Sequence, residues 1–251
     1  MEWKQTVQTV TFYYNVKRDC RSLCYELHRL NNSRLNFKLI FENNTVTIEL
    51  RLRADIKWPP TCTRNFETMQ VEFMFTKQER MPWMHYGHQV VKRVGTSIIR
   101  AYEEYEIVAN EPLSNLVHLL VVRARNFLQI LPIGRHVTVQ LTDTGTYKSR
   151  SYTPVPPCLH PDDMAPNYTT NCLCFMIKKY PNGAFSPVIT GLQTGQSLLI
   201  SNAQGSFIIE IFDRYPVIHM LAAGTGLTVM LGIIQRALVR RNVSVFLPFS
   251  K

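Results

Sequence analysis

Hydrophobic and polar residues alternate with a period of two along much of the first eighty residues. Val7, Val10, Phe12 and Tyr14 keep that rhythm in part; Phe37, Leu39 and Phe41 keep it cleanly, as do Val46, Ile48, Leu50 and Leu52. It returns through Val71, Phe73 and Phe75. A period of two sends successive side chains to opposite faces of a strand, so each run predicts a strand with one face in a core. Polar turn sequences, Asn31-Asn32-Ser33 and Glu42-Asn43-Asn44, separate the runs. Short strands joined by polar turns predict a β-sandwich over residues 1–80. No acid, base or nucleophile is grouped there, and His28 stands alone.

Residues 81–101 lose the rhythm. Pro82, Trp83, Tyr86, Gly87 and several basic residues follow one another without a period, which predicts a linker, with Trp83 packed onto the sandwich. Residues 102–214 predict a second β domain. Its strands are expected over 105–108, 116–122, 136–141, 172–180, 198–201 and 207–212, with one more ending at Arg150. A Pro- and Asp-rich loop is expected over 158–170, and His136 is read as a structural residue at a strand start.

Residues 217–234 carry no formal charge, a length that raises a membrane span. His219 and the turn Gly224-Thr225-Gly226 favour another reading: a buried parallel strand over 217–222, a glycine turn and an apolar helix from Thr228. That predicts the start of an α/β domain and no membrane span. Residues 243–247 are a candidate second parallel strand.

Three segments carry chemistry. Arg150-Ser151-Tyr152-Thr153-Pro154 puts a permanently charged fork, an aromatic face with a polar tip and a short hydroxyl at a strand end. Gly183-Ala184-Phe185-Ser186-Pro187 predicts a turn, with Ser186 as helix N-cap and Pro187 at the first helical position. Gly224-Thr225-Gly226-Leu227-Thr228 follows an apolar strand and opens an apolar helix, which brings backbone amides close to a pyrophosphate.

In this order the three segments resemble the ferredoxin-reductase superfamily and, within it, the cytochrome b5 reductase family. The resemblance implies a mainly β fold: a six-stranded antiparallel FAD-binding β-barrel over 102–214, then the truncated start of an α/β NAD(P)H-binding domain over 215–251. It implies Arg150 on the FAD diphosphate, Tyr152 against the isoalloxazine and Thr153 near its reactive edge. Gly183, Phe185 and Ser186 would line the pyrophosphate site. Gly224, Gly226 and Thr228 would lie where nicotinamide meets flavin. Lys178 and Tyr180 would stand near the FAD phosphates and the flavin entrance, although Lys178 also reads as a lysine on a strand exterior. The implied catalytic positions are Tyr152, Thr153 and Thr228.

The chain departs from the family pattern at three places. Arg135 stands for a Gln, Asn202-Ala203 for a Gly-Pro, and Val229 for a Pro. The opening Trp3-Lys4-Gln5-Thr6 and its strand rhythm resemble the CS domain, which in one branch of the family directly precedes the flavin domain.

The implied activity is an NAD(P)H-dependent FAD oxidoreductase passing electrons from NADH, or NADPH, through FAD to a haem protein such as cytochrome b5, weakened by the truncation. The alternative is a non-catalytic protein whose CS-like sandwich docks a protein partner, with a vestigial or regulatory flavin-binding domain.

Charge and cysteines change this picture little. The net charge of +10 invites nucleic acid or an anionic membrane. No basic run is interleaved with aromatics, however, and the longest are pairs such as Arg240-Arg241, so no nucleic-acid partner is expected. The six cysteines contain no Cys-x-x-Cys, and no His falls at finger spacing, so no metal is expected. Met1-Glu2-Trp3-Lys4 opens without a signal-peptide core. The expected setting is the cytoplasm, extended by the resemblance to the surface of the endoplasmic reticulum.

Overall fold

A computed structural model describes residues 1–15, 24–41, 44–65, 70–95, 100–143, 146–156, 171–239 and 244–246. The chain forms two compact units, Met1–Ile99 with Asn126–Ile130, and Arg100–Arg125 with Leu131–Lys251.

The first unit is a sandwich. One sheet has the order β1-β2-β7-β6, from Glu2–Gln5, Thr9–Asn15, Gln70–Thr76 and Thr61–Asn65. The other has the order β11-β3-β4-β5-β8, from Phe127–Ile130, Cys24–Asn31, Arg34–Phe41, Asn44–Leu52 and Gly87–Gly95. The alternating positions do what their period requires: Val10, Phe12, Leu35, Phe37, Leu39, Ile48, Leu50, Val71, Phe73 and Phe75 are buried in one core. Phe37 of β4 meets rings from both strands opposite, Phe73 at 4.8 Å and Tyr14 at 5.7 Å, in edge-on geometry.

Trp83 is buried in this core. Beside it the ammonium of Lys77, 2% exposed, donates to Gln5 Oε1 at 2.7 Å and to the Thr6 and Met81 carbonyls at 2.8 Å. Three acceptors and the Trp83 ring at 5.1 Å replace the water it has lost.

The structure corrects the linker expected over 81–101. Gly87–Gly95 is β8, paired through all nine residues with β5. It hides from pattern reading because it is an edge strand: the adjacent Val90 and Val91 are 36% and 50% exposed, so neither face is consistently apolar.

In the second unit, six antiparallel strands run in the order β13-β12-β15-β9-β10-β14. They are Thr146–Tyr152, Val137–Asp143, Ser197–Ser201, Tyr102–Pro112, Val117–Arg123 and Cys172–Lys178. Past the end of β13, Val155 bridges Cys174 of β14 and so brings the two edges of the sheet together. Helix α1, Ser186–Gly191, lies between β14 and β15 in sequence.

Residues 207–212 were expected as a strand and are not one. Ile209–Arg214 is a 3₁₀ helix. None of the six strands takes these residues as a partner. Ile209 packs instead with Ile218, Met220 and Ile233, while the Phe207 ring stacks on Phe212 at 5.3 Å.

The α/β region begins at β16, Val217–His219, which is parallel to β17, Ser244–Phe246. The buried strand expected over 217–222 is shorter than that and only half covered: Ile218 is buried, and Val217 is 45% exposed. The turn Gly224–Gly226 is 3₁₀, and helix α2 spans Leu227–Val239. Among the described residues no helix is long and apolar enough to cross a membrane. The loop expected over 158–170 lies outside the described residues.

Candidate functional site

Strand β13 carries Arg150, opposite Val139, and Tyr152, opposite Val137. The Arg150 side chain is exposed, and Nη1 donates to the Ser149 carbonyl at 2.8 Å. One N–H is held back to the strand, and a guanidinium has four more to offer. The Tyr152 ring lies 6.2 Å from Phe175 and 6.1 Å from Phe185. Burial pushes its phenol up to about 12, with Arg150 pulling the other way and Tyr180 adding to the rise. Tyr152 is therefore a neutral hydroxyl near neutral pH, free to donate a hydrogen bond.

At the end of β14, Lys178 Nζ sits 5.4 Å over the ring of Tyr180, which is itself half exposed. A tight turn follows, in which the Gly183 N–H donates to the Tyr180 carbonyl at 2.8 Å. Gly183 is required here by close approach: an added Cβ would lie 3.0 Å from both Ser186 Oγ and the Tyr180 carbonyl oxygen.

Ser186 corrects one expectation. It is the first residue of α1, while the N-cap position belongs to Phe185 and has no side-chain cap bond. The Ser186 hydroxyl is buried and accepts the Tyr180 N–H at 2.9 Å. That bond uses a lone pair and leaves the hydroxyl proton to donate. The far end of α1 is held by Asn110 of β9, whose Nδ2 donates to the Ile189 and Leu192 carbonyls at 3.2 and 2.8 Å. Asn110 Oδ1 in turn faces His118 Nδ1 at 3.3 Å.

In the glycine turn, Gly224 has φ +54°, and the Gly226 N–H donates to the Ala223 carbonyl at 3.1 Å. Thr228 Oγ1 donates to the Thr225 carbonyl at 2.8 Å. That bond anchors the hydroxyl at the start of α2 with its lone pairs available.

These segments meet around one cavity of about 510 Å³. Its wall includes Arg150, Tyr152, Thr153, Lys178, Tyr180, Gly183, Phe185, Ser186, Gly226 and Thr228. Gly224 is the exception among the expected site residues: it shapes the turn and lies outside the wall. Ser151, Ala184 and Thr225, inside the three segments, also line the cavity, as do Met176 and Val229, to which no role was assigned. Met176 had a signal, since it stands two residues from Lys178 on the same strand. Val229 had one too, at the position where the family carries Pro.

Two cations line this cavity and no carboxylate does, among the described residues. Aromatic rings and hydroxyls make up much of the rest. Such a wall suits an anionic ligand with a planar ring system, and the volume lies in the usual range for small-molecule sites. His136 is not part of it. Its backbone bridges Gln204 in both directions, and burial with Arg100 and Arg135 nearby holds its imidazole below the usual value.

Residues 104–209 match the family model of the oxidoreductase FAD-binding domain. Cytochrome b5 reductase 4 of mouse is 27% identical over 94% of this chain, and that of human 28% over 94%. The chain resembles the cytochrome b5 reductases. It spans about half the length of these relatives, 46% of the mouse protein and 47% of the human one. The solved structure of the CS-b5R domains of human Ncb5or in its NAD+ form aligns with 98% of this chain and 72% of its own, with a TM-score of 0.67 at 25% identity. The fold is thus that of FAD-dependent oxidoreductases, with a CS-like sandwich ahead of the barrel.

Proposed function

We propose that the second unit binds FAD and that the chain belongs to an NAD(P)H-dependent oxidoreductase of the cytochrome b5 reductase type. The observation that carries this reading is the meeting of three separated segments, around Arg150, Ser186 and Gly226, in the wall of one carboxylate-free cavity. When bound, FAD supplies hydride acceptance from a reduced pyridine nucleotide and release of single electrons.

The chain's own residues bind and orient. Arg150 offers free guanidinium N–H groups to the diphosphate, and Lys178 adds a second positive charge. Tyr152, neutral and backed by Phe175 and Phe185, presents a ring face and an O–H donor. Thr153 places a hydroxyl beside it. The free proton of the Ser186 hydroxyl and the close-packed backbone at Gly183 serve the phosphates, while Phe185 closes the wall behind them. Gly226 and Thr228 stand where the nicotinamide of NADH or NADPH would approach. The electron acceptor is a haem protein such as cytochrome b5, in a cytoplasmic setting.

The test is direct. Protein purified under native conditions carries bound flavin, seen as visible absorbance, and NADH added without oxygen bleaches it. Colourless protein that takes up no added FAD overturns the reading. Flavin that binds and is not bleached by NADH or NADPH keeps the binding and removes the oxidoreductase activity from this chain.

A further inference from the structure

Strand β8 closes one side of the five-stranded sheet. Its inner edge pairs with β5 along nine residues, and among the described residues no backbone bond reaches its outer edge. Native edge strands of this length are usually shortened, bulged or covered. β8 runs for nine residues against β5 without a register shift, and its own charges, Lys92 and Arg93, stand to one side of the exposed Val90 and Val91 at its centre.

The face beside it is biased in charge. Arg34, Arg51 and His88 stand next to one another in cross-strand register on β4, β5 and β8. The facing pair Arg34 and Arg51 sets like charges side by side, which costs stability on a sheet. No ion pair relieves this row among the described residues. The nearby carboxylate, Glu49, is bonded by Lys92 at 2.5 Å, and Arg51 acts on it only through space.

We propose that the outer edge of β8 is a docking site for an extended acidic segment of a partner protein, which adds to the sheet as a further strand. A free strand edge offers alternating donors and acceptors at the spacing of a peptide backbone, which neither a lipid surface nor a phosphate chain can satisfy. The added strand continues the row from Arg34 through His88 with a carboxylate. It sets apolar residues against Val90 and Val91, and a further acid against Arg93. This inference stands apart from the cofactor reading, because every residue it uses lies in the sandwich.

The experiment uses the full chain and a fluorescein-labelled peptide with two central valines flanked by glutamates. Fluorescence anisotropy should show saturable binding that weakens with salt. The same peptide with lysines for glutamates should bind at least about tenfold more weakly. Amide exchange across 87–95 should slow on binding. The double variant His88→Glu/Arg93→Glu should lose about tenfold in affinity while its circular dichroism stays that of the parent. The proposal is overturned by absent binding, by equal binding of the lysine peptide, by unchanged exchange across 87–95, or by anionic vesicles or duplex DNA binding in the peptide's place.

Discussion

The backbone N–H of Val155 donates to the carbonyl of Cys174 at 2.8 Å. This one bridge joins the two edges of the six-stranded sheet, five residues beyond Arg150 and four before Lys178. The seam of the barrel therefore lies where the chain leaves β13 through Thr153 and Pro154. Residues far apart in sequence become neighbours there, and the cavity opens beside them.

Arg150→Ala should reduce FAD affinity by about one to two orders of magnitude, because a charge-assisted contact to phosphate is lost. The ratio of flavin to protein after gel filtration reads this out. Full retention of flavin removes Arg150 from the site.

Asn110→Ala should loosen α1 by about 1–3 kcal/mol, since the Ile189 and Leu192 carbonyls lose their donor. Faster amide exchange across 186–192 and weaker FAD binding are expected together. Asn110 touches no lining residue by hydrogen bond, so the binding loss would report on positioning.

The two glycines should respond differently. Nothing lies within 4 Å of a Cβ at Gly224, so the cost there is the positive φ alone. Gly224→Ala should cost about 1–2 kcal/mol and Gly224→Asn less, because Asn tolerates that conformation. Gly183→Ala meets Ser186 Oγ and the Tyr180 carbonyl instead, and should disturb flavin binding more than thermal stability.

Tyr152 predicts an alkaline dependence. Its folded pKa of about 12 lies above the ordinary 10.0, so the folded state keeps the phenol proton longer than the unfolded chain. The associated stability is whole below pH 10.0 and is lost as pH climbs towards about 12. Tyr152→Phe should flatten that part of the stability curve, measured by denaturant unfolding at successive pH values.

Leu128→Ala should destabilise the sandwich, although Leu128 follows the second unit's first two strands in sequence. Its side chain is buried in the sandwich core, and a cavity there costs about 2–5 kcal/mol. Exchange protection in β3 should fall first, because β11 pairs with it.

Legibility followed burial. Strands β4, β5 and β7 could be read because one face of each packs against a core, which enforces alternation. β8 and β11 could not, one lying at an exposed edge and the other being four residues long. The expected strand over 207–212 failed for a reason no local pattern holds, namely that Ile209 and Phe207 pack against Ile218, Ile233 and Phe212. Ser186 lines the cavity but is not the N-cap it was expected to be: its hydroxyl could have capped α1, and the nearby Tyr180 N–H took it instead.

Local chemistry was readable along the chain. Residue types suited to phosphate and aromatic recognition stand in three short segments, and their positions can be named without coordinates because turns and strand ends need particular residues. Their convergence could not be read that way. It depends on where a sheet closes, which Gly turns are tight enough, and which polar atoms satisfy one another across many residues. Those are questions of pairing between distant strands, and only the folded chain answers them.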